Sequence, residues 1–437
     1  MEIERKNVLG SVSITPEIIE DVQKNVTDIA QFSKKIEEYI SQNITNLLDV
    51  ILLSSITLQV SDIHIEPQED QIRLRLRLDG ILQDVTFLDE EVYRHILSRI
   101  KLLSKIKLNI TEKPQDGRFT IEVGELLIEI RTSSLPTEYG ESIVMRILNP
   151  KNLKGLEELG LRKDLYQIIE KELKKPNGMI AVAGPTGSGK TTTLYAFLLK
   201  IYNPEIKIIT IEDPIEYHLK GIQQTQVSIE KGYTFSEGLF SIVRQDPDVI
   251  LVGEIRDLET AKIALQASLT GHLVLSTIHT NDVAGTIPRF IDLGAKAPSV
   301  ASALNMVVGE RLVRMICKKC SILEKPNEQE LEEIKKGLKN ISKDVEIPDL
   351  DTIKIAFAKE KGCEACNFTG YKGRKGLFEI FLVDAEMEKF ILTNPAVSSI
   401  KELLIKKGMT TIYQSGLIEV VLGETTLQEV KKVVEED

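Results

Sequence analysis

Tryptophan is missing from this 437-residue chain, aromatic residues make up only 5% of it, and cysteine and histidine number four and five. Nowhere do 18 apolar residues run together, so no stretch is long enough to cross a bilayer as a helix. The opening residues, MEIERKNVLG, are charged and lack the apolar core of a signal peptide, which makes a cytoplasmic location the expectation. Positive charge is not in excess, since the formal net charge is −11. That balance removes the global basic footprint of a dedicated DNA-tracking motor, although a local basic patch stays compatible with it. No combination of aromatic and basic residues suggests a groove for single-stranded nucleic acid. What is present, 42% hydrophobic and 28% charged residues, is the composition of an ordinary globular protein, with length for two or three domains.

Residues 16–40 read as one amphipathic helix, with Thr15 as cap, Pro16 at its first position and Val22, Val26, Ile29, Ile36 and Ile40 on one side. Such a stripe is expected to pack on its own domain rather than to dock a partner. A second helix is expected from Asn46 through Leu53. Ile72–Leu78 then alternates strictly and ends at the turn Asp79-Gly80, which places Arg73, Arg75 and Arg77 on one strand face. Three neighbouring arginines need counter-charge, which a solvated surface or a phosphate held by a neighbouring domain could provide. A helix over 92–108 and a hairpin over 118–131 around Gly124 complete a small α+β domain. From about residue 156 the pattern becomes α/β: 179–183, 206–211, 249–252 and 272–276 are short apolar runs of the kind buried in a parallel sheet. No repeat of 20–50 residues is present.

The chemistry begins at GPTGSGKT, residues 184–191, a full phosphate-loop match placed between a strand and a helix. The stretch Gly184, Pro185, Thr186, Gly187, Ser188, Gly189, Lys190, Thr191 and Thr192 is expected to bind nucleotide. Its glycines allow backbone N–H groups to wrap phosphates. Lys190 is expected at the β- and γ-phosphates and Thr191 on magnesium. VILVGE, residues 249–254, is an apolar strand that ends in Glu254, a carboxylate able to polarise an attacking water. Glu212 and Asp213 follow one strand and His279 and Thr280 another, and in an open parallel sheet these groups converge beyond the strands' carboxyl ends. His272 and His279 bracket a single strand, and His279, at its carboxyl end, is the better candidate.

All four cysteines fall into two C-x-x-C pairs, Cys317/Cys320 and Cys363/Cys366. In a cytosolic chain that pairing favours a metal over disulfides or separate thiols, although the span between the pairs exceeds the roughly 15–20 residues common in zinc sites. Four thiolates with no nearby histidine suit a tetrahedral structural zinc.

Together these segments resemble the secretion-ATPase superfamily in its type II secretion and type IV pilus assembly branch. GPTGSGKTTTLYAFL is similar to that family's Walker A segment, ITIEDPIEY to its aspartate box, RQDPDVILVGEIRD to its Walker B region and LTGHLVLSTIHTNDV to its histidine box. SDIHIEP, PQDGR and SLPTEYGESIVMRIL resemble its arginine-donating N-terminal domain. The resemblance implies a RecA-like P-loop ATPase core with a small PAS-like α+β N-terminal domain and a tetracysteine zinc subdomain. The expected domains are a helical extension over 1–45, an arginine-donating domain over 46–150 and an ATPase domain over 156–437. The last contains a zinc-binding subdomain at 311–376 and a helical C-terminal region at 377–437. The resemblance further implies Glu254 as the Walker B glutamate and Glu212 as an acid near magnesium or water. Arg131 and Arg146 are implied as arginines that reach the γ-phosphate, with a less defined part for Arg77. ATP, Mg2+ and Zn2+ are the implied cofactors. A homohexamer acting on an inner-membrane platform protein, without direct nucleic-acid contact, is the implied assembly. Many members carry a longer N-terminal docking domain than the forty-five or so residues found here. A pilus retraction ATPase and a nucleic-acid-remodelling motor are the alternative functions, and the paired cysteines favour assembly over retraction. An ATP-binding scaffold without turnover is disfavoured by the presence of Lys190, Thr191 and Glu254.

Overall fold

The computed structural model describes residues 11–342 and 345–435, and the opening decapeptide lies outside them. The chain divides into two compact units. One consists of the residues up to Asn152 together with Glu360–Lys372, the other of Leu153–Lys359 and the residues from Gly373 onward.

In the first unit β1 (Ser11–Ser13) leads into α1 (Pro16–Asn25) and α2 (Ile29–Gln42). The single helix expected over 16–40 is therefore two. The break falls where the Asp28 side chain accepts a hydrogen bond from the Gln31 amide at 2.8 Å and caps a new helix, a short polar group competing with the helical backbone. Thr15 occupies the first helix's cap position without a side-chain bond. α3 (Leu47–Thr57) follows, and its Leu47, Leu48, Val50, Ile51, Leu52 and Leu53 are all buried, as an all-round apolar helix requires. Next come β2 (Asp62–Pro67), β3 (Ile72–Leu78), β4 (Ile81–Leu88), α4 (Glu90–Leu103), β5 (Gln115–Val123), β6 (Leu126–Thr137) and β7 (Gly140–Leu148). The sheet order is β1-β5-β6-β7-β2-β3-β4. One core joins Val22 and Val26, Phe32 and Ile36 of the first two helices to α3, α4 and the sheet's inner face.

The second unit runs through α5 (Lys163–Leu173), β8 (Gly178–Ala183), α6 (Lys190–Ile201), β9 (Ile208–Glu212), β10 (Gln223–Gln226), α7 (Phe235–Val243), β11 (Val249–Val252), α8 (Leu258–Leu269) and β12 (Leu273–Ile278). It continues with α9 (Thr286–Asp292), α10 (Ala297–Ala303), β13 (Leu304–Ile316), β14 (Ile322–Glu324), α11 (Glu328–Leu338), β15 (Ile355–Phe357) and β16 (Tyr371–Leu382). α12 (Ala385–Ile391), α13 (Val397–Lys406), α14 (Ile412–Val421) and α15 (Leu427–Glu435) close the chain. The main sheet has the order β10-β9-β11-β12-β8-β13-β16, with parallel pairing from β10 through β13. Met179, Ala181 and Ala183 pack on one face of it while Ile180 and Val182 pack on the other. Both faces being covered explains why these strands are apolar without alternation. β13 and β16 were not foreseen as strands of this sheet, because charged residues such as Glu310 and Glu379 interrupt their apolar runs.

Candidate nucleotide site

Register brings the expected groups to one edge of the parallel sheet. Ala183, the last residue of β8, pairs with Ile278 of β12 and Gly309 of β13, and Val252 of β11 pairs with Ser276 of β12 and Ile211 of β9. The phosphate loop, Glu254, His279, Glu212 and Glu310 all lie at or just beyond those positions. Gly184, Gly187 and Gly189 have positive φ, the conformation that turns successive amides inward. A Cβ on Gly184 would lie 2.7 Å from the Glu310 carbonyl oxygen, and one on Gly189 would overlap the Glu310 carboxylate. Lys190 is buried and its Nζ donates to the carbonyls of Gly184 and Pro185, each at 2.8 Å, so the ammonium sits over its own loop. Burial lowers its pKa, against the opposing charges of Glu310 and Glu254. Ser188 Oγ is buried with no partner. An unpartnered hydroxyl and an ammonium held by loop carbonyls inside a positive-φ cradle fit a polyphosphate, which would offer acceptors to both. Thr191 and Thr192 occupy the first turn of α6, half-buried.

Glu254 is fixed from both sides. The Thr277 hydroxyl donates to the Gly253 carbonyl at 2.7 Å, and the Ile255 amide donates to the Thr277 carbonyl at 3.1 Å. Its carboxylate lies 2.6 Å from Arg256 and 3.3 Å from His279 Nε2. His279 stands directly after β12, whereas His272 precedes that strand and its Nδ1 lies 3.0 Å from the Ala267 carbonyl. Glu212, expected as an acid near magnesium or water, lies at the same strand ends. It ends β9 buried, and its oxygens accept from Thr210 at 2.5 Å, Gln224 at 3.2 Å and the Tyr195 hydroxyl. Burial raises its pKa, against those three donors.

Glu310 escaped the sequence reading. It is 2% exposed on β13, and its Oε2 accepts from the Thr193 hydroxyl of α6 at 2.8 Å. Burial pushes its pKa up to about 8, against Thr193, Lys190 and Lys154. A glutamate inside an otherwise apolar strand, MVVGERLV, was the available signal.

On the other unit, the arginines of β3 find counter-charge within their own sheet. Arg73 is 2.7 Å from Asp84 and Arg75 is 2.6 Å from Glu66. Register reveals a second feature: Arg118, Arg131, Arg146, Asp62 and Arg77 are successive cross-strand partners on β5, β6, β7, β2 and β3. Cross-strand partners share a face, so four guanidiniums form a row with one aspartate in it. Asp62 accepts from Arg146 at 2.9 Å and lies 3.7 Å from Arg77. Arg118 belongs to this row although sequence alone singled out only the other three.

The four cysteine sulfurs lie within 4.8 Å of one another, and none forms a disulfide. Cys366 Sγ accepts from the amides of Cys363 at 3.2 Å and Gly370 at 3.3 Å and lies 3.1 Å from the Cys363 carbonyl oxygen. Asn367 and Phe368 have positive φ, and a Cβ on Gly362 would meet the Phe368 carbonyl carbon at 2.5 Å, so the knuckle closes tightly. An all-sulfur donor set of this spacing fits a tetrahedral thiophilic ion.

A doubly covered parallel sheet with this loop after β8 and a carboxylate two residues past β11, the next strand but one, defines a P-loop ATPase. The chain belongs to the family described as Type II/IV secretion system protein, which matches residues 37–432. It is 41% identical over 396 residues to the Type II secretion system protein E of Aeromonas hydrophila, covering 90% of this chain and 76% of that one. It is likewise 41% identical over 373 residues to the Type IV pilus assembly ATPase PilB of Thermus thermophilus, covering 85% of this chain and 40% of that protein. Among solved structures the fold is similar to that of the Legionella pneumophila ATPase DotB, with a TM-score of 0.64, 20% identity and coverage of 89% and 95% of the two chains. The pilus retraction motor PilT gives a TM-score of 0.59 at 24% identity, with coverage of 88% and 96%. Among the described residues no helix is long and apolar enough to cross a membrane.

Proposed function

We propose that this chain is the ATP-hydrolysing motor of a type IV pilus assembly or type II secretion machine. In this reading it works as a homohexamer at the cytoplasmic face of the inner membrane, through a membrane platform protein. The observation that supports it most is the meeting of Lys190, Glu254 and His279 at the ends of adjacent strands around a phosphate loop. The loop amides of Gly184–Gly189 and Lys190 bind and orient the phosphates. Thr191 would hold magnesium, which would supply positive charge to the bound phosphates. Glu254, pinned at both flanks by Thr277, orients the attacking water and takes up its proton, while His279 lies against it and fixes its direction. Glu212 supports the site from beneath by holding Tyr195 of α6 to the end of β9. Arg131 and Arg146, with Arg77 and Arg118 in the same row, supply positive charge to the transferred phosphoryl group. Cys317, Cys320, Cys363 and Cys366 would hold a structural zinc, and the presence of these four cysteines supports the assembly reading over retraction.

Glu254→Gln keeps the shape of the side chain and removes the base. ATP affinity is expected to stay near wild type while turnover falls by about 10²–10⁴-fold. Wild-type turnover in this variant would overturn the assignment.

A further inference from the structure

The floor of the phosphate loop carries a carboxyl group where an anion is to bind. Glu310 lies beneath Gly189, close enough that no side chain fits there, and its Oε2 is joined to Thr193 one turn into α6. The groups facing it are Lys190 and Thr193 of α6 and Lys154 from the segment ahead of α5. Glu254 bears on it through Lys190. Arg311, its strand neighbour, is directed to the Glu310 and Asn281 carbonyls. Glu379 of β16 packs against Gly309, one residue earlier and hence on the opposite face of β13, where the amides of Val283 and Ile412 hold it at 3.0 Å each.

Lys190 is the cation that both Glu310 and an incoming phosphate require. While the loop is empty of phosphate, an ionised Glu310 can share that positive charge. Once phosphates engage Lys190, the same carboxylate would be a buried negative charge beside several others, with the Thr193 hydroxyl donating to it. Like charges at such range disfavour the ionised form, as does burial. We propose that Glu310 is a positioning residue of the phosphate loop that binds a proton from solvent when a nucleoside triphosphate binds, so that nucleotide affinity is coupled to uptake of that proton. The neutral carboxyl then keeps its bond to Thr193 and donates its own O–H within the loop floor, without opposing the phosphates. This rests on the nucleotide reading of the loop given above.

The pH window follows from the carboxyl's raised position, about 8 without nucleotide, and from the further rise that nearby phosphate charge would cause. Below pH 7 Glu310 is already neutral, no proton need be taken up, and affinity is insensitive to pH from this source. Above about pH 8 the proton must be acquired on binding, and affinity falls with rising pH by at most about tenfold per unit. Binding of Mg–ATPγS to the full chain, followed by calorimetry at pH 7.0, 8.0 and 9.0, reads this directly. Wild type is expected to lose several-fold in affinity between pH 7.0 and 9.0, while Glu310→Gln, which mimics the neutral form, binds equally at both. At pH 8.5, titrations in two buffers of different ionisation enthalpy are expected to show uptake of a substantial fraction of one proton by wild type. That second measurement needs no variant and holds even if Glu310→Gln fails to fold. A pH-independent wild type without proton uptake overturns the proposal. So does a Glu310→Gln protein whose affinity falls with pH as the wild type does, which would assign the titration to Lys190. Failure of wild type to bind at pH 7.0 would instead overturn the nucleotide reading.

Discussion

Arg131 and Arg146 are direct register partners, and like charges set opposite each other across a sheet are destabilising. Carboxylates of the same sheet lie against both. Arg131 donates to Glu129 at 3.2 Å and Arg146 to Asp62 at 2.9 Å, and the Arg146 side chain stays 61% exposed. A guanidinium so arranged is suited to a polyanion, because its planar fork offers several donors to phosphate oxygens. Alanine at either position is expected to cut turnover by up to about 10³–10⁵-fold while nucleotide affinity changes little, since such arginines act mainly on charge that develops during transfer. Steady-state rates set beside equilibrium binding constants check this, and unchanged turnover in both variants would remove these residues from the mechanism. At this scale the site was readable wherever chemistry is written contiguously. The loop 184–191 and Glu254 are both of that kind. Glu310 and Arg118 were not, because what matters in them is a neighbour more than ten residues away that only sheet register supplies.

Elements were legible where one physical signal dominated. The apolar runs of β8, β11 and β12 were found within a residue or two, since strands buried on both faces admit little else. β3 alternates because one face packs on the core while its arginines reach Asp84, Glu66 and Asp62. The signal failed in the N-terminal helix, where Asp28 caps in mid-stripe, and in β16, whose glycines and lysines conceal a strand at the sheet edge. The cysteine knuckles were legible as one tetracysteine site, because four thiols in two C-x-x-C pairs with no nearby histidine suit a single tetrahedral ion, and the four sulfurs do lie within 4.8 Å of one another. A zinc ion held by Cys317, Cys320, Cys363 and Cys366 would organise the connecting segment and take no part in hydrolysis. Binding in such sites contributes about 10–16 kcal/mol to folding of the peptide around the metal. Elemental analysis is expected to give one zinc per chain. Replacing Cys317 and Cys320 with serine should remove the zinc and expose the 317–366 amides to hydrogen exchange, with nucleotide binding retained. Full metal occupancy in that variant, or none in freshly purified wild type, would contradict the site.

At the scale of the molecule, the phosphate loop and the arginine row belong to different compact units, each with its own sheet and core. Neither unit contains by itself all the groups proposed for hydrolysis. On the proposed function, turnover would require nucleotide, Glu254 and the arginines to be brought together, and a closed ring of like chains would do this at every site by symmetry. In such a ring, activity would be a property of the assembly. Six-fold closure is the form of the ring proposed above. Native mass measurement or multi-angle scattering in Mg–ATPγS should show a species of six chains. Turnover per chain should fall on dilution along the same curve as the loss of that species, while nucleotide affinity at the loop, which needs only the second unit, declines far less. Full turnover per chain at a dilution where only single chains remain would refute the ring and place every required group within one copy.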